Sequence, residues 1–300
     1  MRATAQSISQ TAPAEKSWAG VYADLFKARL TFLVLLTTLV GFYVGFRGPA
    51  DYLLMAHTLI GTALVAAGAA ALNQLIERDH DAKMRRTQSR PLPSGRLQPQ
   101  TVLAIGGIAS VLGLVYLAAL VNGVTCAIGA ACLVSYLFVY TPLKRVTWLN
   151  TAIGAIPGGL PPLMGWTAAR GQLTSEGWAL FAILALWQLP HFLAIAWIYR
   201  DEYAKAGFKM LPVVDPQGQR TGRQAVSHTL GLIMVSLSPF VFRLAGPVYL
   251  FCALGLGLVF LWFAARFARE LTVQRARQLF FVSILYLPAL LTMMVLDKVK

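Results

Sequence analysis

The chain has 300 residues, 57% of them hydrophobic and 13% charged, with a net charge of +14 and a mean hydropathy of +0.62. Soluble domains carry about 25% charged residues, so this composition excludes an ordinary soluble domain and calls for a membrane protein. The basic excess would suit nucleic acid, but no basic stripe interleaved with aromatic residues runs through the chain, and basic loops on one side of a membrane explain it more simply.

Residues 1–28 read as a polar to amphipathic N-terminal segment, and residues 29–300 as a single polytopic membrane domain. The opening stretch has no apolar run before a cleavage site, as a secretory signal would, and no long basic, serine-rich extension, as a mitochondrial import peptide would. The expectation is therefore a bacterial inner membrane. Around Trp18, Tyr22, Leu25 and Phe26 the segment mixes aromatic and apolar residues with Lys27 and Arg29. It fits a helix lying along the membrane surface, and equally the mere start of the first span.

A spanning helix needs about 20 apolar residues, which predicts nine spans, near 30–47, 52–75, 100–121, 123–140, 149–168, 177–199, 224–243, 247–265 and 278–296. With the N-terminus inside, only Arg47, Arg170, Arg243, Lys298 and Lys300 fall outside, and the other 21 Lys and Arg fall inside. This strong asymmetry puts the polar loops 76–99 and 200–223 on the cytoplasmic side and the C-terminus in the periplasm. The fifth span reads NTAIGAIPGGLPPLMGW; with Pro157, Pro161 and Pro162 it is expected to bend and to line a cavity. Cys126, Cys132 and Cys252 lie in apolar segments without a CxxC and read as small core residues.

The chemistry concentrates in residues 73–95, NQLIERDHDAKMRRTQSRPLPSG. Asn73, Glu77 and Asp81 are spaced i, i+4, i+8 and share one helical face, while Asp79 points elsewhere. Carboxylates at a helix C-terminus are disfavoured by its dipole; a divalent cation would make them tolerable. Oxygen ligands of this kind suit Mg²⁺, which binds through one or two carboxylates together with substrate phosphates. Lys83, Arg86 and Arg90 follow and are placed to hold the remainder of a phosphate group; Arg85 and Arg96 read as ordinary positive-inside residues. YTPLKR brings Tyr140, Lys144 and Arg145 to the same surface. Asp201, Glu202, Lys205 and Lys209 in the second loop form either a second half-site or a solvated stretch. His191 lies deep in the sixth span, where an ionisable group is a functional candidate, but a neutral histidine bonded to a carbonyl is an equally common core residue.

These motifs resemble the UbiA superfamily of intramembrane prenyltransferases: NxxxExDxD followed by RPLPSG matches its first aspartate-rich motif. YTPLKRVTWLNTAIGAIPGGLPPLMGW, the PHF around His191 and YRDEYAKAGFKMLPVV narrow the resemblance to the haem O synthase (protohaem IX farnesyltransferase) family, over about residues 25 to 295. The resemblance implies an all-α nine-helix bundle with a central cavity. It implies transfer of farnesyl from farnesyl diphosphate to the 2-vinyl group of haem B, with addition of water and release of diphosphate. Carried over residue by residue, Asn73, Glu77 and Asp81 are catalytic Mg²⁺ and diphosphate ligands. Lys83, Arg86, Arg90, Lys144, Arg145 and Asp201 bind the diphosphate, and His191 is the catalytic, haem-positioning candidate. The implied partners, besides the bilayer, are haem A synthase or terminal-oxidase assembly, which take the product.

Two features depart from the superfamily pattern. Glu77 stands where many members have Asp, and the second motif reads Asp201-xxx-Lys205 where quinone-precursor enzymes have DxxxD. Two other readings stand beside the haem one: a UbiA-type enzyme acting on a quinone precursor or chlorophyllide, and a non-catalytic transporter or haem-handling protein, whose broken helices and midplane histidine would suit transport.

Overall fold

The structure is a computed structural model that describes residues 17–49 and 51–299; the first 16 residues of the polar N-terminal segment lie outside it. Among the described residues ten helices of eight residues or more carry the chain. They are α1 (Trp18–Leu25), α2 (Ala28–Gly45), α3 (Tyr52–Asp81), α4 (Pro99–Leu120), α5 (Gly123–Val134), α6 (Asn150–Arg170), α7 (Ser175–Ile198), α8 (Gln219–Ser236), α9 (Pro247–Arg269) and α10 (Val273–Leu296). No strand forms among these residues, only the isolated bridge between Ala245 and Lys298.

Apolar residues lie on both sides of this bundle. Trp166, Tyr249, Phe260, Phe267 and Tyr286 are fully buried, while Phe32, Phe138, Met234, Phe251 and Leu285 are exposed on its outer surface. That is the pattern of a protein whose surrounding solvent is lipid. Eight helical stretches are long and apolar enough to cross a membrane, and they match eight of the nine expected spans. The ninth, α6, is 21 residues long, about 31 Å at 1.5 Å per residue. Its glycines and prolines dilute its hydropathy, so apolar character alone marks eight spans among the described residues and does not confirm the ninth. Helix α6 stays helical through Pro157, Pro161 and Pro162, and Pro162 lines a cavity. A further irregularity falls after α5, where Ser135–Tyr140 is a π-helix continuing into the short turn Thr141–Leu143.

Small residues let the helices approach closely, as membrane packing requires. A Cβ at Gly41 would enter the Pro162 carbonyl and one at Gly165 the Thr38 carbonyl, which locks α2 to α6. A Cβ at Gly68 would come within 2.8 Å of the Gly106 carbonyl, which joins α3 to α4. Helix α6 packs in turn on α7, and α7 on α8 and α10. Between α2, α6, α7 and α10 runs a narrow apolar cavity lined by Thr37, Val40, Pro162, Ile183, Leu184 and Leu287, among others.

At one end of the bundle two polar loops meet. Met84 from the first packs with Phe208 and Met210 from the second, and Lys209 N donates to Lys144 O at 2.7 Å. Helix α1 lies against this end. Its Val21 and Leu25 cluster with Ala71, Leu92, Leu97 and Val102, so residues 18–25 are a separate helix and not the start of the first span.

Candidate active site

Helix α3 has 30 residues and is about 45 Å long, against about 30 Å for the hydrocarbon core. Asp51 caps its start by accepting from Leu54 N at 2.8 Å. Its last turns therefore reach past the lipid tails, and those turns hold the acids. Asn73, Glu77 and Asp81 are 0%, 4% and 1% exposed; Asp79 is exposed, beside Arg78 at 3.3 Å. The i, i+4, i+8 face turns inward and Asp79 outward, as the spacing predicts.

Each residue of this face has its own basic partner. Lys144 Nζ lies 2.8 Å from Glu77 Oε1, and Arg90 NH1 lies 2.6 Å from Asp81 Oδ2. Lys27 Nζ donates to Asn73 Oδ1 at 2.7 Å and to the Tyr136 hydroxyl at 3.3 Å. The amide orientation of Asn73 follows from its neighbours. Thr141 Oγ1 spends its one proton on Tyr136 O at 2.7 Å, so it can only accept from Asn73 Nδ2, at 3.0 Å. That leaves the amide oxygen facing Lys27.

Local structure explains how distant residues reach this face. Lys27 sits at the break between α1 and α2 with φ +48°, in the left-handed region that side chains rarely adopt. Gln74 Nε2 donates to the Asp24 and Leu25 carbonyls at 2.8 and 2.9 Å; it pins the end of α1 to α3 and aims Lys27 at the acids. The π-helix widens the register by one residue per turn, an irregularity often found at functional sites, and delivers Tyr136, Tyr140 and Thr141 together. The Tyr140 ring lies under Lys144 Nζ at 4.6 Å and fills the space left by Gly154. Burial works against the charge on Lys144, but Glu77, then Tyr140 and Tyr136, outweigh it and hold its pKa above the usual lysine value. For Lys27 burial dominates, reinforced by Arg90, and the pKa falls to about 7.

The remaining expected site residues divide. Arg145 NH2 donates to Ile76 O at 3.0 Å on the edge of the cluster. Arg86 donates to the Tyr203 hydroxyl at 3.1 Å and lies over the Tyr199 and Tyr203 rings, where it bridges the two loops. Lys83 is exposed; its backbone N donates to His80 O at 3.1 Å, and its side chain makes no hydrogen bond or ion pair among the described residues. Asp201 is 89% exposed, with only its neighbour Arg200 nearby at 3.8 Å. His191 does not touch the acidic face; it packs against α10, with Nδ1 at 2.7 Å from the Ser283 hydroxyl. The sequence reading missed Lys27, Tyr136 and Thr141. Lys27 resembles any positive-inside residue just before the first span and carries no distinguishing sign in the sequence.

The donor set fits the Mg²⁺ expectation. Among the described residues no three His, Cys, Asp or Glu side chains converge as a metal cage. Two buried carboxylates and an oriented amide oxygen, ringed by bases, are instead the partial set that Mg²⁺ completes with substrate phosphates.

The family model described as the UbiA prenyltransferase family matches residues 34–285. A protoheme IX farnesyltransferase of Solibacter usitatus (strain Ellin6076) is 50% identical over 92% of this chain and 98% of its own length. One from Koribacter versatilis (strain Ellin345) is 41% identical over 99% of each. Among solved structures, a digeranylgeranylglyceryl phosphate synthase shares the fold with TM-score 0.79 at 17% identity, covering 93% of this chain and 98% of that one. A UbiA homolog from Archaeoglobus fulgidus bound to GPP and Mg²⁺ gives TM-score 0.69 at 16% identity, over 91% and 99%. The match along the family model and the identity to relatives over nearly the full length agree: the chain belongs to the UbiA prenyltransferase family, in its protoheme IX farnesyltransferase branch.

Proposed function

We propose that this protein transfers the farnesyl group of farnesyl diphosphate to the 2-vinyl group of haem B and adds water to give haem O, the precursor used by haem–copper oxidases directly or after conversion to haem A. The observation that supports it most is the pairing of a buried oxygen-ligand face with a ring of bases at the rim of an apolar bundle. Such a site suits a substrate with a diphosphate head and a hydrocarbon tail. Asn73, Glu77 and Asp81 would hold Mg²⁺, which when bound supplies positive charge to the leaving diphosphate. Lys144, Arg90 and Lys27, already gathered there, bind the diphosphate oxygens and steady the charge that develops as the allylic C–O bond breaks; Arg86 and Arg145 extend this binding surface, and Lys83 reaches it from the loop. Asp201 is placed in the second loop, where it serves the rim and not the buried face.

The apolar helices around the site take the prenyl tail and keep water from the allylic cation until the vinyl carbon attacks it. Water then adds to the new cation, and one proton leaves. His191 holds the haem. We place the motif loops on the cytoplasmic side of a bacterial inner membrane, with haem A synthase or an oxidase assembly as recipient of the product.

The test is to incubate purified protein with haem B and farnesyl diphosphate, with and without Mg²⁺, and to analyse the haem by mass spectrometry. The expected product gains one farnesyl and one hydroxyl group and forms only with the metal. Unmodified haem here, with a prenylated product when a quinone precursor is supplied in place of haem, would replace this reading with that of a different acceptor.

A further inference from the structure

Helices α7 and α10 pack against each other along a seam. Leu184 and Leu287 of this seam line the small apolar cavity. His191 lies seven residues beyond Leu184, and Ser283 four before Leu287, and both separations return to the same helix face. His191 therefore stands about two turns further along the seam, toward the end of α7 where the two polar loops pack together.

The imidazole is fixed there. It stacks against Trp187 at 4.9 Å and against Phe280 at 5.0 Å, with interplanar angles of 22° and 29°. Nδ1 lies 2.7 Å from Ser283 Oγ. That hydroxyl has one proton, and its other close partner, the Phe280 carbonyl at 2.6 Å, can only accept. The proton goes to the carbonyl, so Ser283 Oγ accepts from His191, and Nδ1 carries the hydrogen. Nε2 then bears a free lone pair, and no hydrogen bond reaches it among the described residues. A neutral imidazole whose Nδ1–H is held by an outer partner is the form that ligates a metal through Nε2.

We infer that Ser283 is a positioning residue: it sets His191 in the Nδ1–H tautomer and so presents Nε2 as the axial ligand to the iron of the haem substrate. The inference deepens the reading of haem B as acceptor and rests on it. The arrangement places the haem iron at Nε2, on the side of the imidazole away from Ser283. Removing the hydroxyl leaves the helix junction anchored, because Trp187 Nε1 donates separately to the Ser283 carbonyl at 2.7 Å.

The experiment titrates ferric haem B into the full-length wild type, Ser283→Ala, Ser283→Thr and His191→Ala proteins and records optical and electron paramagnetic spectra. Binding of a non-cleavable farnesyl diphosphate analogue with Mg²⁺ is measured in parallel. Wild type is expected to show a histidine-ligated spectrum, and His191→Ala to lose it. Ser283→Ala is expected to keep its unfolding temperature while its haem affinity falls about 10- to 100-fold, the usual effect of removing an outer partner of a metal ligand, and its spectrum changes. Ser283→Thr is expected to restore both, and analogue binding to be equal in all four. Wild-type spectrum and affinity in Ser283→Ala would overturn the positioning role, and in His191→Ala the ligation itself. A wild-type protein that binds no haem B would instead overturn the choice of acceptor beneath them.

Discussion

Asp81 illustrates how the site works at the level of single residues. It is 1% exposed and keeps one oxygen on Arg90 at 2.6 Å, while its backbone carbonyl accepts from Thr87 Oγ1 at 2.8 Å. The side chain can be removed without undoing the turn that follows α3, since that turn hangs on the carbonyl. Asp81→Ala is accordingly expected to insert and purify normally, while product formation drops at least 10²- to 10³-fold, the scale of losing one preorganised electrostatic group. Activity within a few-fold of wild type, measured by product mass, would remove Asp81 from the site. The acidic face was readable because its spacing matches the helix period. Lys27 was not, because it meets Asn73 across 46 residues, through a left-handed backbone conformation at a position with no glycine to announce it. His191 was visible as an ionisable group in a span; its partner Ser283, 92 residues away, carried no signal of its own.

At the scale of elements, the close crossing of α2 and α6 depends on the missing side chains of Gly41 and Gly165, each of which faces a backbone carbonyl of the other helix. Backbone cannot swing aside as a side chain can, so Gly165→Ala must push the helices apart. Overpacking of this kind costs about 1–3 kcal/mol, and the expected result is a lower unfolding temperature in detergent together with weaker activity, because the cavity wall moves. An unchanged unfolding temperature would show that the crossing is looser than the structure has it. The prolines of α6 were legible in the sequence, and α6 stays helical through them among tightly packed neighbours. The π-helix at Ser135–Tyr140 was not, since it contains no proline or glycine at all. A reading that assumes 3.6 residues per turn cannot detect a local change in that number.

For the whole molecule, the distribution of charge and the positions of the loops describe one end dense in charge and an opposite end with far fewer charges. The fold class and most span positions were legible from hydropathy, because lipid imposes the same requirement on every segment. The ninth expected span, α6, is not supported by hydropathy in the structure, because it is buried by protein on most of its surface and so has no need to be apolar. The orientation reading predicts that Gln88→Cys, in the first motif loop, reacts with a membrane-impermeant maleimide only in inside-out vesicles, and that Gln172→Cys, at the opposite end, reacts only in right-side-out vesicles. Both positions are exposed. The reverse labelling pattern would invert the topology and put the diphosphate site on the wrong side for a cytoplasmic substrate.

The basic partners on Asn73, Glu77 and Asp81 also bear on the order in which ligands assemble. A divalent cation that takes the Glu77 and Asp81 oxygens competes with Lys144 and Arg90 for them, and two displaced, largely buried cations would be left without counterions, which is costly. A diphosphate offers those cations new anions in the same step. Metal and prenyl diphosphate are therefore expected to favour each other's binding, with a coupling of about 1–3 kcal/mol, or about 5- to 150-fold in each dissociation constant. Calorimetry with Mg²⁺ alone, and again with a saturating non-cleavable analogue, reads this directly, and reciprocity requires the same factor for the analogue with and without Mg²⁺. Independent affinities would mean that the bases do not trade partners. With the coupling, the enzyme ignores the free Mg²⁺ of the cell and commits its carboxylates only when a prenyl donor arrives with it.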